Sequence, residues 1–182
     1  NEREIVEYNG CINLMKGAIV CCDVLMTVSE KYAEEIQSSA YAHGLEYMTR
    51  LYAGKTCGVL NGIDMVRYNP ETDEAITANY SLANMAGKAE NKAALQRMMG
   101  LNEDPNVPIV AIVSRLVSHK GLDLICEVLR DMMEQPLQLV ILGKGDQKYE
   151  EFFAWAQSQY PGRMAVRLDY NEALSMAIYS GA

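Results

Sequence analysis

Beyond Pro108 the chain alternates between short, almost purely apolar runs and longer stretches with helical spacing. The runs are "VPIVAIVSR", "LQLVILGKG" and "RMAVRLDY"; the stretches are "GLDLICEVLRDMME", "KYEEFFAWAQSQY" and "NEALSMAIYSGA". A strand apolar on both faces has to be covered on both, and strands joined through helices run parallel. This pattern predicts an α/β fold, with Rossmann-like parallel sheets carrying helices on both faces.

The first part is less regular. Apolar residues at Ile12, Leu14, Met15, Ala18 and Ile19 predict an amphipathic helix over Glu7 to Val20, with one face packed inward. "DVLMTVS" reads as a short buried strand that feeds "SEKYAEEIQ", a helix with Ser29 as N-cap and Glu30 in its first turn. "HGLEYMTRLYAG" reads as a short helix closed by Gly54, and "KTCGVLNGID" as a strand ending at the Asn61-Gly62 turn. "PETDEAITANYS" is polar and turn-rich, as a connection between two bodies would be. The expected domains are therefore 1–80, the end of one Rossmann-like domain with the connection, and 81–182, the first part of a second. "AGKAENKAALQRMMGL" opens the latter as a strong helix former with Gly100 as its stop.

Composition narrows the function. A net charge of −8 without a basic stripe argues against nucleic acid and against anionic membrane surfaces as partners. No apolar run approaches the roughly 20 residues of a membrane-spanning helix, and the charged opening "NEREIVEYNG" is unlike a signal peptide, so a cytoplasmic protein is expected. Five cysteines without a CxxC predict reduced, mostly buried thiols. His43 and His119 lack ligand spacing, and no metal site is expected.

In parallel sheets, ligands bind beyond the carboxyl ends of the strands, where the next helix presents free N–H groups. Arg115 and Lys120 of "IVSRLVSHKGLDLI" fall at such a mouth. A guanidinium fork and an ammonium point charge there can hold a diphosphate and stabilise the charge growing on it as it leaves. The spacing fits equally well an Arg115 that caps a helix C-terminus and a Lys120 that is a solvated surface charge. Gly143 and Gly145 of "LGKGD" either let backbone approach a nucleotide or serve only the turn. Tyr170 either borders a base or packs as a half-buried strand-end ring. Glu172 reads as a first-turn helix charge and Asp146 as an N-cap.

"NLMKGAIVCCDVLMTVSEKYAEEI", "GVLNGIDMVRYNPETD", "IVSRLVSHKGLDLI", "LVILGKGD" and "DYNEALSMAIYSGA" follow one another in the order and at the spacing of a known family. The chain resembles the bacterial glycogen synthases and plant starch synthases over nearly all its length. The resemblance implies a GT-B glycosyltransferase that moves glucose from ADP-glucose to the non-reducing end of an α-1,4-glucan with retention. It implies no metal and no cofactor beyond the donor, and a plastid location if the source is a plant. Carried over by motif, Arg115 and Lys120 contact the donor diphosphate and assist departure of ADP. Asn61 lies near the transferred glucose, and Gly143 and Tyr170 border the adenosine.

The chain departs from the family's wording at His119-Lys120-Gly121, where Gln-Lys-Gly is frequent, at Ser175-Met176-Ala177, where a His-Arg pair is frequent, and at Cys21-Cys22. It lacks the family's Lys-x-Gly-Gly-Leu loop and its Glu-x-x-x-Gly-Leu motif. It therefore reads as a central segment, inactive by itself. Two rivals stand beside this reading: a GT-B transferase with another nucleotide sugar, and a non-catalytic nucleotide- or glucan-binding module.

Overall fold

A computed structural model describes residues 2–182. The chain divides into two compact units, Asn1–Asp64 and Met65–Ala182.

The first unit starts with α1 (Glu2–Val6), β1 (Glu7–Tyr8), β2 (Cys11–Ile12) and α2 (Leu14–Cys21). The helix expected from Glu7 is thus a hairpin followed by a shorter helix. Asn9 and Gly10 both take positive φ, 52° and 78°, forming the two-residue turn that pairs Glu7 with Ile12 and Tyr8 with Cys11. Asn13 then starts α2, its side chain accepting from the Lys16 N–H at 2.9 Å. Of the periodic positions, Ile19 is buried, whereas Leu14 and Met15 are exposed.

Next come β3 (Leu25–Thr27), α3 (Glu30–Glu35), α4 (Glu46–Leu51), a 3-10 turn (Ala53–Lys55) and β4 (Thr56–Gly58). Ser29 caps α3 as expected, accepting from the Tyr32 N–H at 3.0 Å. β3 pairs with β4 in parallel. The strand expected to be buried has an open face: Met26 is exposed, and Leu25 and Thr27 are half-buried.

The second unit is more complete. Its elements are α5 (Ala86–Met99), β5 (Ile109–Val113), a 3-10 turn (Ser118–Lys120), α6 (Leu122–Glu134), β6 (Gln138–Leu142), α7 (Gln147–Gln159), β7 (Met164–Arg167) and α8 (Glu172–Gly181). The strands form one parallel sheet in the order β5-β6-β7. β6 is buried throughout, and alternation sends its residues to opposite faces. Leu139 and Ile141 join Leu129 and Met133 of α6 and Tyr149 and Phe153 of α7. Val140 and Leu142 join Leu95 and Met99 of α5 and Ile178 of α8. The two helical layers expected from the apolar runs are present. Gly100, φ 71°, ends α5 in the left-handed conformation that favours glycine.

The division between units falls before the polar connection, not at residue 80. Residues 65–80 belong with the second unit, and Asn91 of α5, buried at 3% exposure, clasps Thr77 and Ala78 near the end of that segment. Its Oδ1 accepts from the Thr77 and Ala78 N–H groups, and its Nδ2 donates to the Ala78 and Gly87 carbonyls. The Asn79 carbonyl lies where a Cβ on Gly87 would stand, so only glycine allows this approach.

Candidate functional site

The carboxyl ends of β5, β6 and β7 open into one cavity of about 430 Å³ in the second unit. Arg115 reaches it from β5, Gly143 and Lys144 from β6, and Asp169 and Tyr170 from β7. Each sequence that ends a strand supplies one wall. Leu116, 0% exposed, anchors the β5 exit in the core and leaves its neighbour Arg115 at the surface. The Leu116 N–H donates to the Lys144 carbonyl at 3.0 Å and its carbonyl accepts from the Asp146 N–H at 2.8 Å. The two exits are thus held by the same hydrogen-bond ladder as the strands.

Of the five residues singled out from the sequence, Arg115, Gly143 and Tyr170 line this cavity. Lys120 does not; it ends the 3-10 turn before Gly121, whose φ of 74° lets α6 begin there. Asn61 lies in the first unit, exposed on an irregular stretch after β4.

Neither Arg115 nor Lys120 has a side-chain hydrogen bond or ion pair among the described residues, so Arg115 caps no helix there, while exposed Lys120 fits a solvated charge as well as a ligand contact. Tyr170 is 89% exposed and lies past the end of β7, so it is not a half-buried strand-end ring. Gly143 lines the cavity, and a Cβ there would overlap the Ser114 carbonyl, so the chain's own backbone already requires glycine at this position. Gly145 is constrained alike by Leu116.

Glu172 stands in the first turn of α8, as expected, and forms an ion pair with Arg67. Asn171 caps that helix by accepting from the Leu174 N–H at 2.9 Å. Asp146 occupies the N-cap position of α7 but makes no side-chain cap bond; Glu150 reaches back and accepts from the Gly145 N–H instead. Lys144 is a further cavity cation that no motif in the sequence marks, since a lone lysine between two turn glycines has no distinctive spacing. Asp169 is unmarked too, as a polar residue in a strand-end turn.

Away from the cavity mouth, Tyr149 and Lys148 lie close to Asp123 and hold its carboxyl below the usual range, and Tyr149 and Asp123 in turn raise Lys148. Burial pushes the Cys126 thiol up. All five cysteines are free, but none is buried: Cys11, Cys21 and Cys57 are exposed, and Cys22 and Cys126 half-buried. Among the described residues no cluster of His, Cys, Asp or Glu could hold a metal ion, and no helix is long and apolar enough to cross a membrane.

The family model described as starch synthase catalytic domain matches residues 2–51. A glycogen synthase of Bacillus cereus is 44% identical over 179 residues, covering 98% of this chain and 38% of its own length. A glycogen synthase of Thermosipho melanesiensis is 45% identical over 177 residues, with 97% and 37% covered. The chain thus spans well under half the length of these relatives. In structure it matches the catalytic domain of starch synthase IV from Arabidopsis thaliana, solved with ADP and acarbose. That match has a TM-score of 0.89 and 33% identity, over 94% of this chain and 36% of the other. Two parallel-stranded α/β units with this likeness have the GT-B type of fold. With the likeness carried along nearly the whole sequence, the chain belongs to the family of bacterial glycogen synthases and plant starch synthases.

Proposed function

We propose that the protein containing this chain is a retaining glucosyltransferase that moves glucose from ADP-glucose to the non-reducing end of an α-1,4-glucan. The observation that carries the reading is the cavity at the strand ends, which gathers the unpaired Arg115 and the exposed Tyr170 around one space. The ADP and acarbose held by the Arabidopsis relative support a nucleotide and a glucan as its substrates.

In this reading the two units are the end of the N-terminal domain and the first part of the C-terminal domain. The donor diphosphate lies against Arg115, with Lys120 approaching from the turn before α6. Gly143 and Tyr170 border the adenosine, and Asn61 belongs to the glucose side. The chemistry follows from charge. As the glycosidic bond to the diphosphate breaks, negative charge grows on the departing ADP. Cations fixed beforehand stabilise that state more than the intact donor, so they lower the barrier and not merely the binding energy.

The reaction is tested by supplying the complete protein with glycogen and either ADP-glucose or UDP-glucose. Glucose incorporation from ADP-glucose, with a newly formed α-linkage seen by proton NMR, is expected. Preference for UDP-glucose would place the protein with transferases of another donor. ADP binding without transfer from either donor would mark a binding module.

A further inference from the structure

We propose that Lys144 is a second diphosphate-binding cation of this cavity, acting beside Arg115. The inference rests on the nucleotide-sugar reading of the cavity and adds a residue to it.

β5 and β6 pair as Val113 with Leu142, and beyond the strands Leu116 bridges to Gly145 with the same offset. Arg115 and Lys144 therefore stand opposite each other on adjacent backbones, about 4.8 Å apart at the strand spacing. The ladder continues on both sides of them, through Ser114 N–H to the Leu142 carbonyl at 3.1 Å and Leu116 N–H to the Lys144 carbonyl at 3.0 Å. This fixes the backbone that carries both cations.

Ser114 and Leu116 occupy the space that a Cβ would need at 143 and 145, so 144 is the position of this turn that carries a side chain. It carries a lysine that is exposed, lines the cavity and has no side-chain partner among the described residues. Asp169 lines the same cavity without forming an ion pair to either cation. Two like charges on neighbouring backbones repel each other, and an anion bound between them relieves that repulsion while making a bond to each. A diphosphate offers enough oxygens to meet a guanidinium fork and an ammonium together.

The experiment is calorimetric titration of ADP and of adenosine into the complete protein, as wild type and as Lys144→Ala, Lys144→Arg and Arg115→Ala, at low and moderate salt. Lys144→Ala is expected to weaken ADP about tenfold and to flatten the salt dependence, the size of one charge-assisted contact. Adenosine affinity should not move, and Lys144→Arg should stay within about threefold of wild type. If Lys144→Ala binds ADP like the wild type while Arg115→Ala does not, the inference is wrong and the nucleotide reading stands. If the wild type does not bind ADP at all, both are wrong.

Discussion

At the scale of single residues, the site depends on small side chains as much as on charged ones. Gly143 and Gly145 let two strand exits run in backbone contact, and this contact brings Arg115 and Lys144 side by side. Replacing Gly143 by alanine forces a methyl group against the Ser114 carbonyl. The expected cost is about 1–3 kcal/mol, seen as a lower melting temperature, together with weaker ADP binding as the exits separate. An unchanged melting temperature would mean that the β5 exit yields easily. The sequence made the placement of Arg115 and Tyr170 at the strand-end cavity legible, because each follows an apolar run that ends in a parallel sheet. It did not reveal the reason for Gly143, since the occupant of the missing Cβ space comes from Ser114, 29 positions earlier in register.

At the scale of elements, the strands and helices after Pro108 were readable because both faces of β6 are covered, which demands an unbroken apolar run. The N-terminal region was harder. Ile12, Leu14 and Ile19 fit a helical period, but Asn9-Gly10 turns the chain and claims Ile12 for a hairpin. The 3-10 turn at Ser118–Lys120 is too short to show any period, and it moves Lys120 off the cavity wall. Nor does an asparagine within a helix former announce what Asn91 does. Asn91→Ala should leave the Thr77 and Ala78 amides without their acceptor. A loss of about 2–4 kcal/mol is expected, with faster hydrogen exchange at those two amides than across β6. Equal protection of the two amides in variant and wild type would show that other contacts hold the segment.

At the scale of the whole molecule, an acidic chain of net charge −8 keeps Arg115, Lys120 and Lys144 free of carboxylate partners among the described residues. Surface cations in such a chain have many acids within reach, and under the proposed function the three left unpaired past the ends of β5 and β6 serve an external anion. In that proposal the anion is the diphosphate of a nucleotide sugar; the similar starch synthase IV domain is the one solved with ADP. The most direct test of this claim is the turnover of Arg115→Ala with ADP-glucose and glycogen in the complete protein. If Arg115 stabilises the departing ADP, kcat falls about 100-fold or more, with a smaller change in KM. If kcat is that of the wild type, the cavity at the strand ends is not where the donor reacts.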